Sequence, residues 1–344
     1  MAAVAADSNA IAAASSGAPP RTRRWWNEIG RNRLALVGAA LAVALIAIAV
    51  AADSNAISAA QSAAPPRSRR WWNEIGRNRL ALVGAALAVA LIAIAVAAPL
   101  LAPYDPVALT PQNRLLPPSA AHWFGTDDGG RDVFSRVIYG TRLSLLAAAV
   151  VLTVAIVVGT TIGLVAGYGG GAVDETLMRL TDMFLAFPAL VLAMGVSAAL
   201  GPSLLNAMLA IAVVWWPWYA RLVRGQTLRL KQEAYVEAAR ASGASTPRIL
   251  ARHILPNCLT PIIVQVSLDV GYAILTTAGL SFIGLGAQPP TPEWGAMVAI
   301  GKDYILDQWW FATFPGLAIL LAVMSFNLLG DGLQEALSPA LRRR

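Results

Sequence analysis

His122 and His253 are the two histidines of this 344-residue chain, Cys258 is its one cysteine, and Lys231 and Lys302 are its lysines. So few reactive side chains limit the chemistry available. A lone thiol closes no internal disulfide, and no set of Cys, His and carboxylate residues has metal-ligand spacing. Neither lysine lies in the Gly-x4-Gly-Lys-Ser/Thr loop that cradles nucleotide phosphates. Gly169-Gly170-Gly171 lacks a lysine as well and reads as a hairpin between apolar segments. Gly279-Leu280-Ser281-Phe282-Ile283-Gly284 has the wrong spacing for a nucleophile elbow and no histidine nearby. The expectation is a chain with no catalytic residues, no metal site and no cofactor of its own. Three features remain: an acid in an apolar run (Asp269), a charged cluster (Asp127, Asp128, Arg131, Asp132), and the basic segment 221–253.

The elements that must position these residues are membrane helices. The chain is 57% hydrophobic and 13% charged, against about 25% charged for an ordinary soluble domain. Its apolar residues form unbroken runs of the roughly 20 residues that a bilayer span needs. Leu80–Ala102, Leu143–Gly167, Ile254–Gln288 and Trp309–Gly330 each supply one span. Met183–Ala220 is too long for one, and Gly201-Pro202 divides it into two. The reading is an all-α polytopic membrane protein with six core transmembrane helices.

A seventh apolar run, Leu34–Ala52, comes from a repeat. Residues 3–52 match residues 49–98 and differ only at Ala12/Ser58, Ser15/Gln61, Gly17/Ala63 and Thr22/Ser68. Solenoid repeats diverge while keeping a pattern; these copies have hardly diverged. Segment 1–50 therefore reads as a recent tandem copy, or an assembly or start-site artefact, outside the core. Segment 51–79 is then the cytoplasmic N-terminal segment, and 80–344 the transmembrane domain. With 51–79 inside, the inner segments hold sixteen Lys and Arg residues and the outer ones five: Arg114, Arg131, Arg136, Arg142 and Lys302. That bias is the positive-inside signature, and it places both core termini in the cytoplasm. It also accounts for the net charge of +7 without nucleic acid. The tryptophans Trp71-Trp72, Trp215-Trp216, Trp218 and Trp309-Trp310 read as interfacial anchors. Outside, Pro103, Pro106, Pro111, Pro117 and Pro118 keep the start of the loop 103–142 from forming regular helix.

The inner segment 221–253 has a particular pattern. Glu233–Ala241 predicts a short helix stopped at Ser242-Gly243. Ser245 or Thr246 then caps a second, with Pro247 where no donor is needed. Leu255-Pro256 marks the return into the membrane. Glu237-Ala238-Ala239, Gly243 and Ile254-Leu255-Pro256, at this spacing, resemble the EAA loop of ATP-binding-cassette importer permeases. His122–Asp128 with Gly130–Val133, Leu280–Gly286, Gln288–Gly295, Phe314-Pro315-Gly316 and Phe326–Leu333 resemble the peptide and nickel branch. Within it the C-type dipeptide permease subunits are most similar, over about Arg69 to Ala340.

This resemblance implies an importer of dipeptides or short peptides in a bacterial inner membrane. Its permease subunit would pair with a second, different permease, two ATPase subunits that bind ATP and Mg, and an external solute-binding protein. Glu237, Ala238, Ala239, Gly243, Leu255 and Pro256 would form the coupling site that docks on an ATPase. Oligopeptides, haem, glutathione or nickel are alternative substrates, and a non-transporting membrane scaffold is the reading from another class. The family has one N-terminal helix, so the tandem copy is a departure.

Asp269 has two readings: a pathway residue that meets substrate or a partner-helix cation, or an acid near the cytoplasmic third of a helix that starts late, solvated or paired structurally. Gly271, Gly279, Gly284 and Gly286 on the same run suggest a helix interface with the other permease. Asp127, Asp128, Arg131 and Asp132 could dock the binding protein through charge complementarity. Equally, they could form a structural turn in which Thr126 and Asp127 cap the helix after Gly130. The topology makes a direct prediction: protease added from the cytoplasmic side reaches the first 30 residues, and cleavage only from outside would overturn the arrangement.

Overall fold

The computed structural model describes residues 78–337. The tandem copy 1–50, the run Leu34–Ala52, most of segment 51–79 and Arg342–Arg344 lie outside these residues. Among the described residues the regular elements are helical, with one isolated antiparallel bridge between Thr126 and Asp132. The helices are α1 (Arg79–Leu101), α2 (Val133–Gly169), α3 (Gly171–Leu185), α4 (Ala189–Leu200), α5 (Leu204–Leu230), α6 (Ala234–Ala241), α7 (Thr246–Ile249), α8 (Leu255–Phe282), α9 (Trp294–Gly301) and α10 (Trp310–Leu337).

Four of these stretches are long and apolar enough to cross a membrane: α1, α2, α7 with α8, and α10. The α3–α4 pair, bent by 87°, makes a fifth if it counts as one span. α5 has the length, 27 residues, but its Trp-Trp-Pro-Trp-Tyr centre and Arg221–Arg229 half dilute the apolar signal. The chain is a polytopic all-α membrane protein. Inside the run read as two helices, Pro188 imposes a break in addition to Gly201, because proline removes a backbone donor and crowds the preceding turn.

Glycines set the helix spacing. Gly159, Gly163 and Gly167 on α2 fall one turn apart, and a Cβ on each would come within 2.5–2.7 Å of Trp216 O, Ala220 O and Thr227 Cβ on α5. α2 and α5 therefore run parallel in near backbone contact. Gly271 of α8 approaches Val323 and Asn327 of α10, and Gly84 of α1 approaches Leu328 and Leu329 of the same helix. α10 thus lies between α1 and α8. Asn78 caps α1 and donates to Glu335 Oε2 at 2.7 Å, which places the start of α1 and the end of α10 at one end of the bundle.

Several boundaries differ from the sequence reading. α2 starts at Val133, ten residues before Leu143, because Asp132 caps it by accepting from Ser135 N. α8 ends at Phe282 instead of reaching Gln288. Gly284 adopts φ +85°, and Gly284 N–H and Leu285 N–H bond back to Ser281 O and Leu280 O, which is a Schellman stop. Gly284 and Gly286 are therefore off the helix, and Gly271 packs within this chain. Of the two that remain on the helix, Gly279 keeps open space beside it. Trp310 is no interfacial anchor; it is buried and donates to Thr126 O at 3.2 Å.

The end of the bundle opposite the α1 start is closed by α9. Glu293 caps it by accepting from Gly295 and Ala296 N–H at 3.0 and 2.9 Å. Burial pushes its carboxyl above the usual range, and the two amide bonds counter part of that shift. Trp294 donates to Val137 O at 3.0 Å and lies on Gly140. Forcing a side chain into such contacts costs about 1–3 kcal/mol. Gly163→Val is thus expected to lower the melting temperature of the detergent-purified protein, whereas Gly279→Ala leaves it unchanged.

Candidate functional site

The segment after α5 folds as a helical hairpin. α5 closes at Lys231, and a turn through Gln232 and Glu233 leads into α6. Val236 of α6 is fully buried, as are Ile249 of α7, Ile254 and Cys258, so the hairpin is seated on the bundle by an apolar seam. At its tip Gly243 has φ +78°, with Gly243 N–H on Arg240 O and Ala244 N–H on Ala239 O. Nothing lies within 4 Å of where a Cβ would project. Glycine is needed here for backbone conformation, not for space.

The seat decides which residues face outward. Glu237 and Ala238 are exposed, and Ala239 packs partly against the seam. Glu237 forms no ion pair with the described residues. Arg248 and Arg252 are exposed as well. The surface presented is thus one carboxylate, small alanines that permit close approach, and several cations.

The return into the membrane is not a turn. α7 runs through a π-helical turn, Leu250–Ile254, straight into α8. Leu255 and Pro256 are half-buried within this continuous helix. Pro256 cannot donate to the preceding turn and its ring needs room there; the wide turn supplies the room. Asn257 Nδ2 donates to His253 O at 2.7 Å and to Tyr235 Oη at 3.3 Å, tying α6 to the start of α8. Burial and the Glu233 carboxylate push the Tyr235 phenol upward, so it stays protonated. Ser245 sits at the cap of α7 without a side-chain bond.

Asp269 is 8% exposed and faces α5. Tyr219 Oη donates to its Oδ2 at 2.7 Å and Gln265 Nε2 to its Oδ1 at 3.0 Å. Its oxygens are engaged inside this chain.

The charged cluster of the loop 103–142 is turned inward. Arg131 Nε donates to Asp127 Oδ2 at 2.7 Å, Arg136 Nε lies 3.3 Å from the same oxygen, and Asp132 pairs with His122 Nδ1 at 2.9 Å. Asp127, Arg131 and Asp132 are all buried, while Asp128 keeps 32% of its side chain exposed. Carboxylates and guanidinia within one loop satisfy one another before any partner can. The cap of α2 is Asp132 rather than Thr126 or Asp127. Thr126 instead donates to Asn113 O and accepts from Leu116 N.

Sequence reading missed the ion pairs between α3 and α5. Arg224 makes a bidentate pair with Asp174, at 2.5 and 2.7 Å, and Arg221 Nη2 meets Asp182 at 2.5 Å. No local pattern joins residues 50 apart. It also missed the Gly159-x3-Gly163-x3-Gly167 stripe, for which the signal was present.

Residues 159–343 match the model of the binding-protein-dependent transport system inner membrane component. The chain belongs to this family. Residues 67–118 match the N-terminal TM domain of oligopeptide transport permease C. Among curated relatives, the probable D,D-dipeptide transport system permease protein DdpC of Escherichia coli is 56% identical over 242 residues, 70% of this chain and 81% of the relative. The dipeptide transport system permease protein DppC of Alkalihalophilus pseudofirmus is 49% identical, covering 71% and 81%. The glutathione transport system permease protein GsiD of Pectobacterium atrosepticum is 48% identical, covering 71% and 82%. The chain is therefore the permease subunit of an ATP-binding-cassette importer, a transport component rather than a catalytic one.

The hairpin tip generates a prediction. A non-glycine residue in the left-handed region costs about 1–2 kcal/mol. Gly243→Ala is expected to leave the protein in the membrane at normal level and lower uptake severalfold. Uptake equal to the parent would remove the tip geometry from the mechanism.

Proposed function

We propose that this permease carries dipeptides or short peptides into the cell. The observation that carries the substrate class is similarity: relatives named as D,D-dipeptide and dipeptide permeases share 56% and 49% identity with it. Glutathione, itself a short peptide derivative, is the second reading, favoured by the 48% identity to a glutathione permease.

The hairpin 234–254 is the coupling element of this reading. Glu237 and Ala238 dock on an ATPase subunit, Gly243 shapes the tip, and Ala239, Leu255 and Pro256 join it to the bundle. ATP and Mg are bound by two separate ATPase chains, and this chain holds no cofactor. Closure of the ATPases pushes the hairpin, and the stems α5 and α8 switch the pathway formed with a second, different permease. An external binding protein delivers the peptide. Asp269 serves transport on this reading by joining α5 to α8, the helices that flank the hairpin, rather than by meeting substrate.

The core lies in a bacterial inner membrane with both its termini cytoplasmic. Segment 1–50 is superfluous to it, a reading supported by the family match beginning at residue 67. Two measurements test the proposal. Deletion of this chain is expected to abolish growth on dipeptides as sole amino-acid source, with restoration by the full chain. Purification is expected to bring down two ATPase chains. Unimpaired dipeptide growth alongside lost glutathione uptake would move the assignment to the second reading.

A further inference from the structure

The hairpin is seated on one side by its apolar seam against α5 and α8. The other side faces the corner where α2 ends and α3 begins, and that corner makes two contacts with the end of α5, from which the hairpin springs, and one with the hairpin itself. Asp174, on the first turn of α3, accepts from Arg224 Nε at 2.5 Å and Nη2 at 2.7 Å. Lys231, the last residue before the hairpin turn, donates from Nζ to Gly167 O at 2.9 Å. Arg240, on the hairpin helix itself, lies over the Tyr168 ring with its Cζ 5.8 Å from the centroid. The first two lie on the last turns of α5 and its cap, beside the α2–α5 approach at Gly163 and Gly167, and the third lies past the point where α5 stops.

We infer that the α2–α3 corner, through Asp174, Tyr168 and the Gly167 carbonyl, is a brace that positions the coupling hairpin and carries its displacement into α2 and α3. The inference rests on the coupling role given to the hairpin above. Its geometry is that of a working joint. A bidentate Arg–carboxylate pair fixes direction as well as distance, and the Asp174–Arg224 pair keeps only 16% and 34% of its side chains exposed. The Arg221–Asp182 pair is half exposed on both sides, and pairs of that kind contribute little. α3 then climbs beside α5 as far as Phe184, which meets Trp216 edge-on at 5.3 Å. A push on the hairpin therefore reaches α2 at Gly167 and Tyr168, and α3 at Asp174. Without the brace, the hairpin is held on one face only and can rock while the bundle stays still.

The test uses the complete importer, with its ATPases and binding protein, reconstituted in vesicles with a dipeptide. Asp174→Asn is expected to lower uptake at least about fivefold while ATP hydrolysis stays within about twofold, so that transport per ATP falls. The exchange Asp174→Arg with Arg224→Asp restores that ratio, and Asp182→Asn leaves it unchanged. Uptake that is unaffected, or that falls in step with hydrolysis, overturns the brace. Should Asp174→Asn fail to accumulate in the membrane, Tyr168→Leu, which removes the ring under Arg240 and spares the ion pair, is read by the same ratio. A lowered ratio supports the brace and an unchanged one overturns it. Cross-linking of Ala238→Cys to the ATPase separates the two levels of argument. No cross-link overturns the coupling role itself, whereas a cross-link with an unchanged ratio overturns the brace alone.

Discussion

The near backbone contact of α2 with α5 is the constraint on which the rest of the structure depends. In a bilayer, lipid tails are as apolar as leucine, so helices are held by close packing and by polar contacts rather than by the hydrophobic effect. Gly159, Gly163 and Gly167 remove the side chains that would separate the two axes and leave Ala220 and Thr227 as the opposing surface. Parallel α2 and α5 then end level with one another. Only because they do can Gly167 and Tyr168 stand beside Lys231 and Arg240, and Asp174 beside Arg224. The position of the hairpin is set by a stripe of glycines well inside the apolar segment.

The two ends of the bundle are built in opposite ways. At the end that carries α9, charges face inward: Asp127, Arg131, Asp132, Arg136 and His122 satisfy each other and the loop backbone, and Trp294 and Trp310 pin the loop and α9 to the helices. Such a network is costly to open because each member left unpaired would be a buried charge. At the hairpin end, Glu237, Arg248 and Arg252 are exposed, and the seam beneath them is apolar. One end is thus a cap with its charges paired within the chain, and the other a surface with charges that no residue of the hairpin neutralises.

How much of this was legible in the sequence depended on whether the cause was local. The hairpin was legible because its tip is a Schellman turn, and the residues that make one, helix formers followed by Ser242-Gly243, lie next to each other. The same motif at Gly284 was missed, because the apolar run continues past it and composition does not register where hydrogen bonding stops. Small residues mark close helix approach, but the glycines singled out in the sequence were those at 271–286. The stripe that sets the α2–α5 distance lies at 159–167 in a run that offered no charge or proline to draw notice. The outer acids were legible as a cluster but not as an interior one, since burial there depends on Pro106 and Pro290 carbonyls brought together from opposite ends of the chain.

The intramembrane acid follows the same logic of position. Asp269 on α8 is a functional suspect by type, yet its oxygens meet Tyr219 of α5 and Gln265 of its own helix. α5 leads into the hairpin and α8 leads out of it, so this contact ties the two stems together within the membrane. Breaking it would leave a polar group without a partner where neither water nor lipid can supply one. The stems are therefore held as a pair, and a force applied at the hairpin cannot be absorbed by parting them. It has to be passed to what the pair touches: α2 along the glycine stripe, α3 through Asp174, and α10 across Gly271.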